Sequence, residues 1–278
     1  MTISRSTQTV ITSRRNPLVK KLRLLSTRQG REEFSMILLE GTNLLIEALE
    51  KSIVQEIIAT KEWIDRYGYL LEKNTNNIIF HEVSTSLLNT ALTTKNPDGV
   101  ASLISLNSLL PIPENPTFIL ALDRLQDPGN LGTLFRTSLA AEVEMIWLAL
   151  GADPLSQKSI RASAGAVLSI PFERSAGEEL NAIKKLANKL NDAVQRGYQV
   201  VATCPPSNSA DITKPYWSID WTLPTVLVLG NEGGGLHSIL KNCCTQEITI
   251  PHSAAVESLN VASAAVPLLL ERQRAKMT

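Results

Sequence analysis

The chain has 278 residues, 44% of them apolar, and its 27 basic and 27 acidic residues cancel to zero net charge. That length fits two domains, each able to bury a core of its own. No uncharged apolar run approaches the roughly 20 residues that span a bilayer, and the basic N-terminus lacks the apolar core and cleavage site of a secretory signal, so a cytoplasmic protein without a membrane anchor is expected.

In chain order, the first feature is basic. Residues 1–31 hold Arg5, Arg14, Arg15, Lys20, Lys21, Arg23, Arg28 and Arg31 and no acid. A separate segment over residues 1–34 is expected to contact phosphates through Arg14, Arg15, Lys20 and Lys21, with salt-dependent affinity; a solvated tail is the alternative. Glu40–Lys51 reads as a turn into an amphipathic helix, and Val54–Ala59 and Asn77–Phe80 have strand length and composition. Residues 35–106 thus predict a small α/β domain. Residues 107–116 place three prolines in ten positions, which suits a linker.

Beyond the linker, Thr117–Leu122, Met145–Leu150, Gln199–Thr203 and Thr225–Leu229 are apolar strand-length runs. Leu131–Ala141, Gly177–Arg196 and Leu259–Arg272 are helical in pattern, and they alternate with the strands. Such alternation over residues 117–278 predicts a Rossmann-like parallel sheet covered on both faces, with any ligand beyond the carboxyl ends of the strands. Cys204, Cys243 and Cys244 lack the spacing of zinc ligands and are expected to be buried thiols. His81, His237 and His252 are dispersed, so no metal is expected.

Three strand-to-helix passages carry polar groups at those strand ends. In Leu122–Ala140, Asp127, Pro128 and Gly129 form a turn, Asn130 reads as the helix N-cap, and Gly132 lies one turn before Arg136, leaving space beside the guanidinium. In Val226–Leu236 a buried strand ends at Gly230, Asn231, Glu232, Gly233, Gly234 and Gly235, a spacing that matches neither the dinucleotide fingerprint nor a phosphate-binding P-loop. In Ile248–Val261 a strand stops at Pro251, Ser258 is placed to cap the last helix, and Asn260 falls in its first turn. Pro267 then interrupts the helical pattern and predicts a kink worth roughly 3 kcal/mol.

Together the three passages resemble the SpoU, or TrmH-like, branch of the SPOUT RNA methyltransferases. The family's first motif is met by Asn130, Leu131, Gly132 and Arg136, its second by Gly230, Glu232, Gly233 and Gly235, and its third by Ile250, Pro251 and Ser258–Val261. Gln157–Pro171, with Arg161, Ser163 and Gly165, resembles the family's connecting segment. Ser13–Leu22 with Glu40 and Gly41 resembles the substrate-binding domain of rRNA-directed members.

The resemblance implies that the C-terminal segment of the α/β fold is threaded as a trefoil knot, and that the enzyme is a homodimer binding S-adenosylmethionine. Contacts to that cofactor are implied at Leu229, Gly230, Asn231, Gly235, Ile250, Pro251, Ser258 and Leu259. It implies methyl transfer to a ribose 2′-hydroxyl of RNA, ribosomal RNA ahead of transfer RNA. Arg136 would act at the hydroxyl and touch RNA, while Asn130, Glu232, Ser258 and Asn260 would orient it. A tRNA 2′-O-methyltransferase and a non-catalytic RNA-binding relative are the alternatives. A Rossmann oxidoreductase is disfavoured by the missing glycine fingerprint.

Overall fold

A computed structural model describes residues 10–71, 78–175, 177–206, 214–253 and 255–277. Arg5, Asn77 and Ala254 lie outside these. The chain divides into two compact units, residues 1–110 with 155–168, and residues 111–154 with 169–278.

The first unit is built on four strands, β1 (Met36–Glu40), β2 (Val54–Ala59), β3 (Ile79–Glu82) and β4 (Val100–Ser105), in the order β1-β4-β2-β3. β4 runs antiparallel to both β1 and β2, and β3 runs parallel to β2. Helices α1 (Pro17–Leu25), α2 (Arg28–Phe34), α3 (Thr42–Glu50), α4 (Lys61–Tyr67) and α5 (Thr85–Ala91) join and flank them.

From residue 10 onward the basic N-terminal stretch is therefore not a separate segment but part of this unit. Asn16 caps α1 by accepting from the Leu18 amide at 2.9 Å, with Pro17 opening the first turn. Val19, Leu22 and Leu25 then fall on one face and are buried, packing with Leu38, Ile58, Leu87 and Leu103. α2 sits so close behind α1 that a Cβ on Gly30 would lie 2.1 Å from the Leu24 carbonyl oxygen. Lys21, expected at phosphate, instead donates to Glu56 of β2 at 2.7 Å. The hydrogen bond from His81, together with Lys21, outweighs burial and holds the Glu56 carboxyl below its ordinary range. Arg31 is buried. Arg14, Arg15 and Lys20 remain exposed.

Another departure concerns residues 155–168, which the sequence pattern placed in the catalytic domain. Their helix α7 (Gln157–Ala162) packs on β1: Gln157 Nε2 donates to the Leu38 carbonyl at 2.8 Å and Arg161 Nη1 donates to Glu40 at 3.1 Å. Opposite charges so far apart in the chain leave no local pattern to read.

The second unit is a seven-stranded, wholly parallel sheet in the order β7-β6-β5-β10-β8-β11-β9. Its strands are β5 (Phe118–Leu122), β6 (Met145–Leu148), β7 (Phe172–Arg174), β8 (Gln199–Thr203), β9 (Lys214–Pro215), β10 (Thr225–Leu229) and β11 (Gln246–Thr249). β5 and β10 are buried along their whole length, as continuous apolar runs in a doubly covered sheet should be. Proline is tolerated in β9 because it lies at the edge. Helices α6 (Pro128–Ala140), α8 (Glu179–Gln195), α9 (Ser238–Lys241) and α10 (Val261–Lys276) complete the unit. α8 buries Ile183, Leu186, Ala187 and Leu190 on one helical stripe. The three cysteines are half-buried and unbridged, less enclosed than expected; burial raises Cys204 to about 11 and Cys244 to about 12. Among the described residues no helix is long and apolar enough to cross a membrane.

Pro267 does not end the last helix: α10 continues through it to Lys276. The carbonyl it deprives of a partner belongs to Ser263, an exposed residue that water can reach. The far end of α10 is anchored by Arg272, which is buried over the Phe118 ring at 4.8 Å. Its guanidinium donates to the carbonyls of Trp221, Leu223 and Thr117 at 2.7, 2.6 and 3.2 Å. Burial pulls its pKa below the usual arginine value. Arg272→Ala strands these carbonyls and is expected to destabilise the unit by about 3 kcal/mol in urea unfolding, with Arg272→Lys recovering only part because an ammonium cannot span the same acceptors.

Candidate active site

The second unit places its polar groups at the carboxyl ends of β5, β10 and β11. β5 ends in Asp123, a fully buried carboxylate. Asp123 accepts Arg124 Nε at 2.8 Å and Nη2 at 3.2 Å, and through Oδ2 it accepts the His237 amide at 2.8 Å. That last bond ties the exit of the glycine-rich loop to the end of β5. Arg124 also reaches Glu179 at 2.7 Å, and its pKa is raised chiefly by the hydrogen bonds it donates to Asp123. It adopts a left-handed backbone, φ 49°, and its carbonyl receives Asn231 Nδ2 at 2.7 Å and Gln126 Nε2 at 3.0 Å.

The loop is closed on itself. The Asn231 and Gly235 backbones exchange hydrogen bonds at 2.9 and 3.0 Å, and Asn231 Oδ1 accepts the amides of Gly233 and Gly234. The Asn231 side chain, expected at the cofactor, is thus engaged as an internal brace. Glycine is required at 230 for close approach, since a Cβ there would lie 2.5 Å from the Gly235 carbonyl carbon, and at 235 for its φ of 64°.

Glu232 projects from this loop towards α6. Its carboxylate accepts the amides of Gln126 at 3.2 Å and Asp127 at 3.3 Å and Asn130 Nδ2 at 3.2 Å. Burial alone would raise its pKa, but its own backbone amide, Asn130, Gln126 and Asp127 outweigh that and lower it. Asn130 Oδ1 in turn accepts Asn260 Nδ2 at 3.0 Å.

Two cap assignments change. Asp127, not Asn130, caps α6, accepting the Asn130 amide at 2.8 Å. Asn260, not Ser258, caps α10, its Oδ1 accepting the amides of Ala262 and Ser263 at 2.9 and 3.2 Å. Asn130 is thus spared the capping role, and the Asn260 amide caps through Oδ1 while its Nδ2 donates to Asn130.

Of the residues singled out by sequence, Asn130, Glu232 and Asn260 form one hydrogen-bonded chain. Ser258 and Leu259 are exposed beside Asn260, and Pro251 is exposed beyond Ile250. Arg136 stands apart from that chain: six residues on from Asn130, about 9 Å along α6, it is exposed and has no partner among the described residues. Asp123, Arg124 and His237 were not singled out, although an Asp-Arg pair ending an apolar strand sits where ligand-binding loops begin. No cluster of three or more metal-ligating side chains occurs among the described residues.

A model described as the SpoU rRNA Methylase family matches residues 117–269, and one described as the MRM3-like substrate binding domain matches residues 16–102. The chain belongs to the SpoU rRNA methylase family and is an S-adenosylmethionine-dependent RNA methyltransferase. It is 37% identical over 268 residues to an uncharacterized tRNA/rRNA methyltransferase of Synechocystis, covering 95% of this chain and 93% of that one. It is 29% identical to the Bacillus subtilis 23S rRNA (guanosine(2553)-2′-O)-methyltransferase RlmP, covering 93% and 97%. The structure of an AdoMet-bound rRNA methyltransferase from Sinorhizobium meliloti superposes with a TM-score of 0.75 at 29% identity, covering 96% and 97%. The substrate-binding match takes in α1 and α2, in keeping with their burial in the first unit.

Asp123→Ala removes both the partner of Arg124 and the acceptor of the His237 amide. The amides of Gly233–Gly235 are expected to exchange with deuterium about tenfold faster or more, read by mass spectrometry, while exchange in β1–β4 stays as in the parent.

Proposed function

We propose that this enzyme methylates a ribose 2′-hydroxyl of ribosomal RNA, working in the cytoplasm as a homodimer of knotted catalytic units. The single observation that carries the reading is the Glu232–Asn130–Asn260 chain, which assembles a polar, oriented surface from three strand ends, with the exposed Arg136 further along α6. The 2′-O-methyltransferase named above supports the choice of ribose and of ribosomal RNA.

The residues fit S-adenosylmethionine. A Cβ at Gly234 or Gly235 would meet nothing within 4 Å, so the outer face of the loop is open, and Thr249 Oγ1, next to Ile250, is buried without a hydrogen-bond partner among the described residues. Backbone groups at Leu229, Gly230, Gly235 and Ile250, with the exposed apolar surface of Val256 and Leu259, would hold it. The bound sulfonium supplies an electrophilic methyl group.

The protein's task is then to align the hydroxyl and ease loss of its proton. A guanidinium is not deprotonated near neutral pH, which makes Arg136 a poor base. Its place is to stabilise the developing alkoxide or the neighbouring phosphate. Glu232, kept ionised by its donors, orients Asn130. Asn130 and Asn260 present amides to the ribose, and Ser258 adds a hydroxyl nearby.

Val266 and Leu270, one turn apart on α10, and Leu139 on α6, which packs against α10, are exposed apolar residues that suit pairing with a second copy. Leu270→Glu is expected to shift the sedimentation coefficient from dimer to monomer.

Arg136→Ala is expected to bind S-adenosylmethionine as the parent does in calorimetry while methyl transfer to ribosomal RNA falls by about a hundredfold or more; near-normal turnover would sink the assignment. Removing residues 1–31 would cut away the core helix α1, so the basic face is better tested by Arg14→Ala, Arg15→Ala and Lys20→Ala together. The triple variant is expected to keep its fold and to lower the slope of log affinity against log salt by about two to three.

A further inference from the structure

The first unit holds a solvent-open cleft of about 300 Å³ between the N-terminus of α3, the loop 92–98 and α7. That volume lies at the lower end of the roughly 300–1,000 Å³ of small-ligand sites. Its floor is Glu40, a buried carboxylate that accepts the amides of Thr93 and Thr94 at 2.8 and 3.0 Å, their hydroxyls, and Arg161 Nη1 at 3.1 Å. Glu40 and the two threonine hydroxyls hold Arg161 by Nη1 alone. Its Nε and Nη2 carry no hydrogen bond among the described residues, and about a third of the side chain is exposed.

At the rim, Asp98 Oδ2 accepts the Thr42 amide at 2.7 Å, and Asp98 Oδ1 has no hydrogen-bond partner among the described residues. Asn43 and Asn96 line the cleft, are exposed, and hold no hydrogen bond among the described residues. Leu44, Leu92 and Pro97 supply the apolar part of the wall. The Trp63 indole donates to Thr42 Oγ1 at 2.8 Å and stiffens the wall from behind.

We propose that this cleft is a subsite for one unpaired nucleotide of the RNA substrate, with guanine as the preferred base. The proposal rests on the RNA methyltransferase reading above and deepens it. A base needs apolar surface for its faces and donors and acceptors for its edges, and RNA is read in sequence chiefly through such unstacked bases. A carboxylate at the rim demands a base that offers donors, and guanine presents two side by side, the ring N1–H and the 2-amino group. The adjoining Hoogsteen edge of guanine carries O6 and N7, which suit the free donors of Arg161 and the carboxamides of Asn43 and Asn96. Uracil has one ring N–H between two carbonyls and satisfies the carboxylate less well. The acidic rim also speaks against a groove for bare backbone phosphate.

The test uses the full chain and three labelled hexanucleotides, all-uridine, uridine with one central guanosine, and uridine with inosine in its place, followed by fluorescence anisotropy. The parent is expected to bind the guanosine oligonucleotide about fivefold more tightly or better than the other two. Asp98→Asn, whose remaining oxygen still accepts the Thr42 amide, is expected to erase the preference for guanosine over inosine, leaving the unfolding midpoint and S-adenosylmethionine affinity unchanged. Equal weakening on all three oligonucleotides, a preference over inosine that survives this substitution, or no preference in the parent would each overturn the proposal. The last result is what a protein segment as true occupant would produce. A parent that methylates RNA but shows no guanine preference refutes the cleft alone. One that neither binds nor methylates any RNA refutes the reading on which the cleft rests.

Discussion

The side-chain amide of Asn130 donates to Glu232 and accepts from Asn260, partners 102 and 130 residues further along the chain. An amide is suited to this position because it is donor and acceptor at once. Either role alone would tie α6 to one of the two segments and leave the other free to move. With both bonds made, the end of β5, the glycine loop after β10 and the start of α10 are held in one geometry, and a carboxylate and two carboxamides meet in one region. Catalysis by positioning depends on such fixed dipoles.

That bond in turn depends on supports that are not themselves part of it. Asp127 satisfies the first turn of α6, so the Asn130 side chain need not act as its cap. Asp123 fixes the exit of the glycine loop through the His237 amide, and the left-handed turn at Arg124 offers a carbonyl to Asn231. A residue other than glycine at 230 would push the loop away from its own return strand. Arg272 holds the far end of α10 against the starts of β5 and β10, which lets a proline stand inside that helix without unseating Asn260 at its cap. Rigidity at the site is thus assembled from buried charges with several hydrogen-bond partners each, where losing the charge strands those partners.

The first unit shows the same economy of form. Residues that look like a basic tail form an amphipathic helix whose apolar face enters the core and whose Lys21 meets a buried glutamate, leaving Arg14, Arg15 and Lys20 to solvent. Charge counted along a chain does not distinguish a lysine on the outer face of a helix from one beside an acid on a strand. Glu40 and Arg161 likewise meet across 121 residues and shape a cleft that neither segment could form alone.

From the sequence alone, the alternation of apolar runs with helical stretches determined a parallel α/β sheet, because strands covered on both faces must be apolar throughout, as in Thr225–Leu229. The resemblance of three strand-to-loop passages to the family's motifs likewise pointed to Asn130, Glu232 and Asn260. The tertiary structure alone decided which side chain caps which helix, that Asn231 braces its own loop, that residues 155–168 pack with the first unit, and that Asp123 and Arg272 are structural anchors. The physical reason is one of range. Periodicity and turn chemistry are local and can be read along the chain, whereas the partner of a buried charge is chosen by the sheet order that places distant segments side by side.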